Sequence, residues 1–374
     1  MKLVIISHTE HYINDVGRIV GWGSTVNEIN HLLDVFEEVI HCAPFYKNII
    51  APDSSMAYQN EDRIRYIPLK PYGGDRWFKK FSVLTTAPYN LLKVWLTLKK
   101  ADVFQFRAPT GMGLYMIPFL RLCAGKKGWF KYAGNWKQPN APLGYRVQKY
   151  FLTHFSKHKV TINGAWHDQP SHCLSFENPC LEEADIKAGQ EALKTKSFDE
   201  KLDFIFVGRL EMAKGVGRIL EAFGSIESDR IGVVHMIGDG EERTKFESEA
   251  DKLPYDFNFY GFMSRDKIFE LLQKAHVFLL PSDSEGFPKV LAEAINFGCL
   301  PIVSKISCLP DYVKNEESGF LVDLKVANAL SGSINKVLSL NGNELLRIAS
   351  LAQSQSDRFT FHYYNQRIIN EAVK

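Results

Sequence analysis

Two short segments in the second half of the chain concentrate residue types that bind anions and polyols. The first is Gly208-Arg209-Leu210-Glu211-Met212-Ala213-Lys214-Gly215, with two cations five residues apart after an apolar run and before an amphipathic one. A glycine turn, paired cations and a helix N-terminus favour a phosphate or diphosphate, through charge-assisted hydrogen bonds and the positive end of the helix dipole. The second runs from Pro281 to Ala294 and sets Glu285 and Glu293 eight residues apart. Pro288 suits a first helical turn because its missing N–H is one the turn leaves unpaired anyway, and the N–H groups of Lys289 and Val290 then point at an anion. One carboxylate at a loop tip and another about two turns into the helix can accept hydrogen bonds from the hydroxyls of one elongated polyol. Taken singly, each residue also suits a surface turn or a capping carboxylate.

Such loops act only if a scaffold presents them together. Apolar runs bounded by turn residues alternate with amphipathic stretches along the chain. The first half predicts strands Leu3 to Ser7, Ile64 to Pro68, Val103 to Arg107, Trp129 to Tyr132 and Val160 to Ile162. Its helices are expected at Ser24 to Val39, Gly111 to Cys123 and Pro142 to about Phe155. The second half predicts strands Leu202 to Val207, Ile231 to Ile237, Phe257 to Tyr260, Val277 to Leu280, Leu300 to Val303 and Phe320 to Val322, with helices between them. Ser171 to Pro179 and the polar stretch Glu182 to Lys201 read as a connection. Phe359 to Val373 reads as an amphipathic stretch that packs back across the first domain. The alternation implies an α/β fold of two doubly wound, Rossmann-like domains, residues 1–180 with 359–374, and residues 181–358. In such sheets ligands bind beyond the carboxyl ends of the strands, where both segments fall.

The 374 residues carry Lys+Arg 45 against Asp+Glu 43, but the balance is uneven: 22 basic and 13 acidic residues up to Cys180, and 23 and 30 after it. The basic half is expected to face something anionic. From Lys70 to Lys131 there are 12 basic residues against Asp75 and Asp102, interleaved with Trp77, Phe78, Phe81, Trp95 and Trp129. That mixture suits an anionic membrane surface; a solvated basic face over an aromatic core is the plainer reading. Nucleic acid is the other anionic candidate by charge alone and is not among the expected partners. Six cysteines without a CxxC spacing argue against a disulfide framework or zinc knuckle. The apolar runs Leu3 to Ile6 and Gly111 to Leu120 are too short for a signal-peptide core and a spanning helix respectively. A cytoplasmic protein is expected, peripheral on the inner face of the cytoplasmic membrane if the basic stretch docks there.

Read in order, Val207-Gly208-Arg209-Leu210 with Lys214-Gly215, then Ile237-Gly238-Asp239-Gly240, Tyr260-Gly261-Phe262 and the Glu285 to Glu293 segment resemble glycosyltransferase family four over roughly residues 200–325. The first domain matches only in outline. The resemblance implies a GT-B fold, two Rossmann-like domains facing a central cleft, and a retaining transferase that uses a UDP- or GDP-linked sugar with no cofactor and no metal. It implies that Arg209 and Lys214 neutralise the donor diphosphate as the glycosidic bond breaks. Glu293 would hold ribose hydroxyls and Glu285 the donor sugar, and the Phe287, Pro288, Lys289 and Val290 backbone would lie near sugar and phosphate. Gly208 belongs to the diphosphate turn, and Gly261 and Phe262 would lie by the base. Arg209, Lys214 and Glu285 form the implied catalytic set. In the front-face substitution ascribed to the family, the leaving phosphate helps accept the acceptor proton and Glu285 positions rather than attacks.

The acceptor, a saccharide or lipid-linked saccharide of the kind used in cell-surface polysaccharide synthesis, is assigned to the first domain. Gly21-Trp22-Gly23-Ser24 resembles the family's glycine-rich turn, and equally describes a simple helix start. Arg107 and Gly134-Asn135 each follow a strand. Ala133 stands where family members often carry histidine, which bears against a histidine-assisted role there. A dinucleotide-dependent oxidoreductase is disfavoured, because Gly21 and Gly23 do not follow the first strand directly and a third glycine is missing. A sugar-nucleotide epimerase and a non-catalytic nucleotide-sugar-binding subunit of the same fold stand as alternatives.

Overall fold

The computed structural model describes residues 1–73, 81–122 and 125–374. Asp75, Arg76, Trp77, Phe78, Lys79 and Lys80 of the basic stretch, and Cys123, lie outside the described residues. The chain divides into two compact units, Met1–Glu177 with Phe361–Lys374, and Asn178–Thr360.

The first unit contains β1 (Lys2–Ile6), β2 (His11–Ile13), β3 (Ile19–Trp22), β4 (Glu38–Ile50), β5 (Ser55–Ala57), β6 (Ile64–Leu69), β7 (Val103–Ala108), β8 (Lys127–Tyr132), β9 (Lys159–Ile162) and β10 (Cys173–Ser175). Its helices are α1 (Gly23–His31), α2 (Ser82–Leu98), α3 (Gly113–Leu122) and α4 (Leu143–His154). The main sheet runs β6-β4-β1-β7-β8-β9-β10, all parallel. Alternate residues feed opposite faces: Val4, Ile6, Phe104 and Phe106 enter one core, Leu3, Ile5, Val103 and Trp129 the other.

The second unit contains α5 (Glu183–Thr195), β11 (Leu202–Val207), α6 (Val216–Gly224), β12 (Ile231–Ile237), α7 (Arg243–Ala250), β13 (Asp256–Gly261), α8 (Arg265–Lys274) and β14 (Val277–Leu280). It continues with α9 (Lys289–Asn296), β15 (Leu300–Ser304), α10 (Leu309–Tyr312), β16 (Phe320–Val322), α11 (Ala329–Ser339) and α12 (Gly342–Gln353). Its parallel sheet runs β13-β12-β11-β14-β15-β16. In this order the chain winds outward one way from β11 and the other way from β14, so the loops after those two strands flank a topological switch point. The terminal segment, α13 (Phe361–Arg367) followed by a π-helical turn Ile368–Val373, buries Tyr364, Ile368 and Ala372 in the first unit's core.

Three expectations need correction. The stretch Ser24 to Val39 is not one helix: α1 ends at His31, a 3-10 turn covers Leu32–Asp34, and β4 begins at Glu38, where the β-branched pair Val39-Ile40 registers with Leu3 and Val4. The connection read at 171–201 holds a strand, β10, and a helix, α5, whose N-terminus is closed by a capping box between Glu182 and Asp185. The basic stretch contains α2, which the sequence reading did not separate from its surroundings.

A closed hydrogen-bond ring lies at the carboxyl end of β1. The Thr9 carbonyl accepts from His11 Nδ1 at 2.8 Å, which makes Nε2 an acceptor for the Tyr58 hydroxyl at 2.8 Å. The Tyr58 oxygen accepts from His41 Nδ1 at 2.6 Å, Ser7 Oγ donates to His41 Nε2 at 2.7 Å, and Thr9 N–H donates back to Ser7 Oγ at 3.1 Å. Each member is buried and satisfied only while both imidazoles are neutral. Burial pushes His11 down to about 4 against the Thr9 carbonyl's opposing pull, and burial beside His11 and Arg107 puts His41 well below its usual range. A histidine with a depressed folded pKa stabilises the fold fully above its unfolded value of roughly 6.5 and loses that contribution as pH falls toward the folded value, about 3 kcal/mol for His11 alone. The urea midpoint should therefore drop between pH 6.5 and 4, and drop less in His11→Gln; identical pH profiles for the two proteins would refute the ring's role.

Candidate functional site

The switch point of the second unit brings the two chemistry-bearing segments together. After β11 the chain passes through Gly208 and Arg209 into a 3-10 turn, Met212–Lys214, and then Gly215, whose φ of 84° opens α6. A Cβ on Gly215 would stand 2.1 Å from the Pro281 carbonyl oxygen, so glycine here is required both by conformation and by contact. The loop after β14 is bound to the first by backbone, Asp283 N–H donating to Ala213 O at 2.9 Å, and by Arg218, which reaches Pro281 O at 3.0 Å and Asp283 at 2.6 Å.

Two of the three expected catalytic residues meet. Lys214 Nζ lies 2.7 Å from Glu285 Oε1, the carboxylate buried and the ammonium partly so. Arg209 stands apart, 71% exposed, and pairs with Glu211 at 2.7 Å. Its exposure leaves it free to turn, because a surface pair of this kind is worth at most about 1 kcal/mol. Gly208 is fixed from the next loop: Gly238 has φ 130°, and a Cβ there would lie 1.8 Å from Gly208 O, while Leu210 N–H donates to Asp239 O. The Gly238-Asp239-Gly240 segment is thus a packing surface for the cation-bearing turn.

On α9, Pro288 occupies the N-cap position with helical residues from Lys289, so Glu293 lies little more than one turn in, closer to the helix start than the two turns expected. Lys289 and Val290 are half-buried in the first turn. Phe287 is buried among Tyr312 and Phe359, with centroids 4.9 and 5.3 Å away, so its ring anchors the loop and leaves only its backbone available. Glu293 sits 3.6 Å from Arg265 Nε, yet burial outweighs that cation and Lys289 and raises its pKa. Gly261, φ 71°, turns the chain at the end of β13 against Arg243, and Phe262 beyond it is 65% exposed.

Arg265 and α5 were not found from sequence. Arg265 donates to Asp185 at 2.7 Å and to Cys180 O at 2.6 Å, and Asn296 donates to Asp185 O at 2.8 Å. A Cβ on Gly189 would stand 2.2 Å from Asn296 O, so α5 and α9 touch backbone to backbone. The available signal was Glu182 with Asp185 ahead of the Ile186, Gly189, Ala192, Leu193 stripe, the mark of a capped amphipathic helix.

The first-unit candidates are spread out. Gly21 lies within β3, where a Cβ would meet the His11 imidazole at 2.5 Å, and Gly23 opens α1, where a Cβ would meet Ser54 O at 2.7 Å. Both glycines therefore serve close packing within the unit, and Ser24 follows in the first turn of α1. Arg107 is turned inward: it donates to Glu28 at 2.9 Å and to Gln105 at 2.9 Å, while Lys131 reaches the same Glu28 oxygen at 2.6 Å, all of these side chains being buried. Its guanidinium is a structural cation. Asn135 accepts from Lys137 N–H at 3.0 Å and borders a cavity described below.

Because Glu293 has a raised folded pKa, its charge costs stability near neutral pH, whereas Arg265 holds two carboxylates. Glu293→Gln should keep or raise the melting temperature of the free protein, and Arg265→Leu should lower stability by about 1–2 kcal/mol. Equal losses in the two variants, measured by urea unfolding, would contradict this division of roles.

Comparison with known proteins bears on the fold and on the second unit's sequence. Residues 190–354 match the family model for glycosyl transferases group 1. The putative colanic acid biosynthesis glycosyltransferase WcaL of Escherichia coli K12 is 31% identical over 182 residues, 46% of this chain and 44% of that one. An Escherichia coli UDP-Gal:alpha-D-GlcNAc-diphosphoundecaprenol alpha-1,3-galactosyltransferase is 32% identical over 178 residues, again 46% and 44% of the two chains. The chain thus spans less than half the length of these curated relatives. Among solved structures, Anabaena HepE in complex with UDP superposes with a TM-score of 0.69 at 15% identity, covering 99% of both chains. Residues 190–354 thus match the group 1 glycosyl transferase model, in a chain whose fold is that of the GT-B structures.

Proposed function

We propose that the protein transfers a sugar from a UDP- or GDP-linked donor to a saccharide or lipid-linked saccharide acceptor, with retention of configuration, in cell-surface polysaccharide synthesis. The observation that carries this reading is the Lys214–Glu285 pair at the switch point, with Arg209 on the loop that bears Lys214 and Glu293 on the helix that follows Glu285. On this reading the diphosphate lies against the Lys214 turn and the start of α9, and Arg209 swings from Glu211 to share its charge. Glu285 accepts from a donor-sugar hydroxyl while it continues to hold Lys214, and Glu293 accepts from the ribose. The two cations take the charge-neutralising role, so no divalent metal is needed, and the leaving phosphate receives the acceptor proton. The named relatives support a polysaccharide acceptor, since two of them are named for colanic acid synthesis and for a diphosphoundecaprenol-linked sugar.

The test is nucleotide binding in EDTA. UDP or GDP at about a hundred times its dissociation constant should stabilise the protein by roughly 2.7 kcal/mol, several degrees in melting temperature. Lys214→Met and Glu293→Gln should each remove most of that shift, and NAD should give none. Absence of a shift with every nucleotide, or a shift seen only with added magnesium, would overturn the donor reading or its metal independence respectively. Proton NMR of the product's anomeric signal then decides retention.

We further propose that α2 docks the protein on an anionic lipid surface. No helix among the described residues is long and apolar enough to cross a membrane. Along α2, Leu84, Leu92, Trp95 and Leu96 are exposed, Lys93 lies among them, Lys99 stands 3.4 Å over the Trp95 ring, and the helix carries no acidic residue. An apolar stripe edged with cations suits the headgroup boundary. Sedimentation with phosphatidylglycerol vesicles should be salt-sensitive and should weaken at least tenfold in Leu92→Ser/Trp95→Ser; binding unchanged in that variant would refute it.

A further inference from the structure

The first unit carries a cavity of about 330 Å³ between the outer face of α4 and the loop that follows β8. This volume falls at the lower end of the roughly 300–1,000 Å³ of small-molecule sites. Its lining is unusual in composition. Tyr132, Trp136, Tyr145 and Tyr150 supply four aromatic rings, and Asn135 and Gln138 supply amides. Two cations, Arg146 and Lys149, border it, and no Asp or Glu lines it.

The polar groups are arranged so that cationic donors stay available. Lys149 Nζ donates one hydrogen to Trp136 O at 2.6 Å and lies 4.8 Å from the Trp136 ring centre, which fixes the ammonium at the cavity wall with its other hydrogens uncommitted to any carboxylate. Burial and the neighbouring Lys137 lower the Lys149 pKa, the sign of a charge short of compensation. The carboxylate that pulls the other way, Asp168, is taken by Lys137. Arg146, one turn earlier on α4, is exposed and makes no side-chain hydrogen bond or ion pair among the described residues. Trp136 and Tyr132 form the floor as a perpendicular pair with centroids 4.9 Å apart, both nearly fully buried, so the wall is rigid, whereas Tyr150 is 53% exposed at the rim.

Aromatic faces pack the apolar face of a pyranose ring, amides pair with its hydroxyls, and an unpaired guanidinium beside an ammonium recognises phosphate in a way that a neutral sugar would not require. We propose that this cavity is a subsite for a phosphate-bearing saccharide, the anionic end of the acceptor. The inference rests on the transferase reading for the word acceptor, but the site itself stands on the first unit alone. Either a free sugar phosphate or a sugar joined to a lipid diphosphate presents this chemistry.

Calorimetric titration and saturation-transfer NMR on the full chain test it, with glucose 1-phosphate, methyl glucoside, inorganic phosphate and farnesyl-diphospho-N-acetylglucosamine as probes. Glucose 1-phosphate should bind saturably, at least tenfold more tightly than methyl glucoside or inorganic phosphate. Arg146→Ala and Tyr150→Ala, both at exposed positions compatible with folding, should each weaken it about tenfold or more. Tighter binding of the farnesyl probe, equally sensitive to Arg146→Ala, assigns the lipid-linked source; comparable binding of the two assigns the free sugar phosphate. Inorganic phosphate binding as tightly as glucose 1-phosphate, indifference to both substitutions, or displacement by UDP would overturn the subsite. UDP titration of Arg146→Ala should match the parent, so a failure of nucleotide binding in both proteins would count against the donor reading and leave the subsite result separate.

Discussion

The approach of Gly215 to the Pro281 carbonyl is the constraint on which the second unit's candidate site depends. With β11 beside β14 and the connections winding away from each other, the loops leaving these two strands meet at the carboxyl edge of the sheet. They meet backbone to backbone, at a distance that admits no side chain on Gly215. Lys214, the preceding residue, is thereby held within 2.7 Å of Glu285, and Arg218, on the first turn of α6, is delivered to Pro281 O and Asp283. The cost of orienting the ammonium is met during folding, which on the transferase reading is what electrostatic stabilisation of a leaving diphosphate requires.

The first unit solves a different problem with buried charge. Glu28 on α1 receives both Arg107 from β7 and Lys131 from β8, and the Tyr364 ring of the terminal helix lies 4.8 Å from the Lys131 ammonium. Asn365 donates to His31 O at 2.6 Å, and the Phe361 ring stacks on His31 with centroids 3.9 Å apart. A desolvated ion cluster contributes little net stability but penalises any arrangement that leaves one partner alone. It therefore specifies how α1, the two strands and the last helix come together more than it strengthens them. The excess of basic residues noted in this half of the chain is in part internal.

The strands of both sheets were legible because a parallel strand buried on both faces reads as a short, uninterrupted apolar run, as Val277-Phe278-Leu279-Leu280 and Phe204 to Val207 do. Both chemistry-bearing loops were legible because glycine, cation and carboxylate follow such runs directly. What could not be read was anything fixed by a distant partner. Arg107 has the same position at a strand end as a ligand-binding cation would, and Glu28, 79 residues away, draws it inward together with Gln105. The helix of Ser24 to Val39 failed at its second half because amphipathic spacing continues through Leu32 and Leu33 while the strand is decided by pairing with β1. The Gly21 and Gly23 turn fits an anion-binding description equally well until His11 and Ser54 are seen to occupy the space.

Glu285 and Glu293 differ in a way that bears on the proposed chemistry. Glu285 is matched by Lys214 at hydrogen-bond distance before any sugar hydroxyl arrives. Among the described residues Glu293 has a longer contact, to Arg265, which is itself divided between Asp185 and a backbone carbonyl, and burial lifts its pKa against the pull of Arg265 and Lys289. Hydroxyl donors from a ribose would supply the hydrogen bonds that the charged form lacks, and hydrogen bonding to a carboxylate favours ionisation. On the transferase reading, then, binding energy at Glu293 includes the relief of an under-solvated charge, whereas Glu285 contributes a fixed field at the reacting end of the donor. One carboxylate is poised to gain from nucleotide binding and the other to hold its cation still, a division of labour that follows from which of them the fold has already paired.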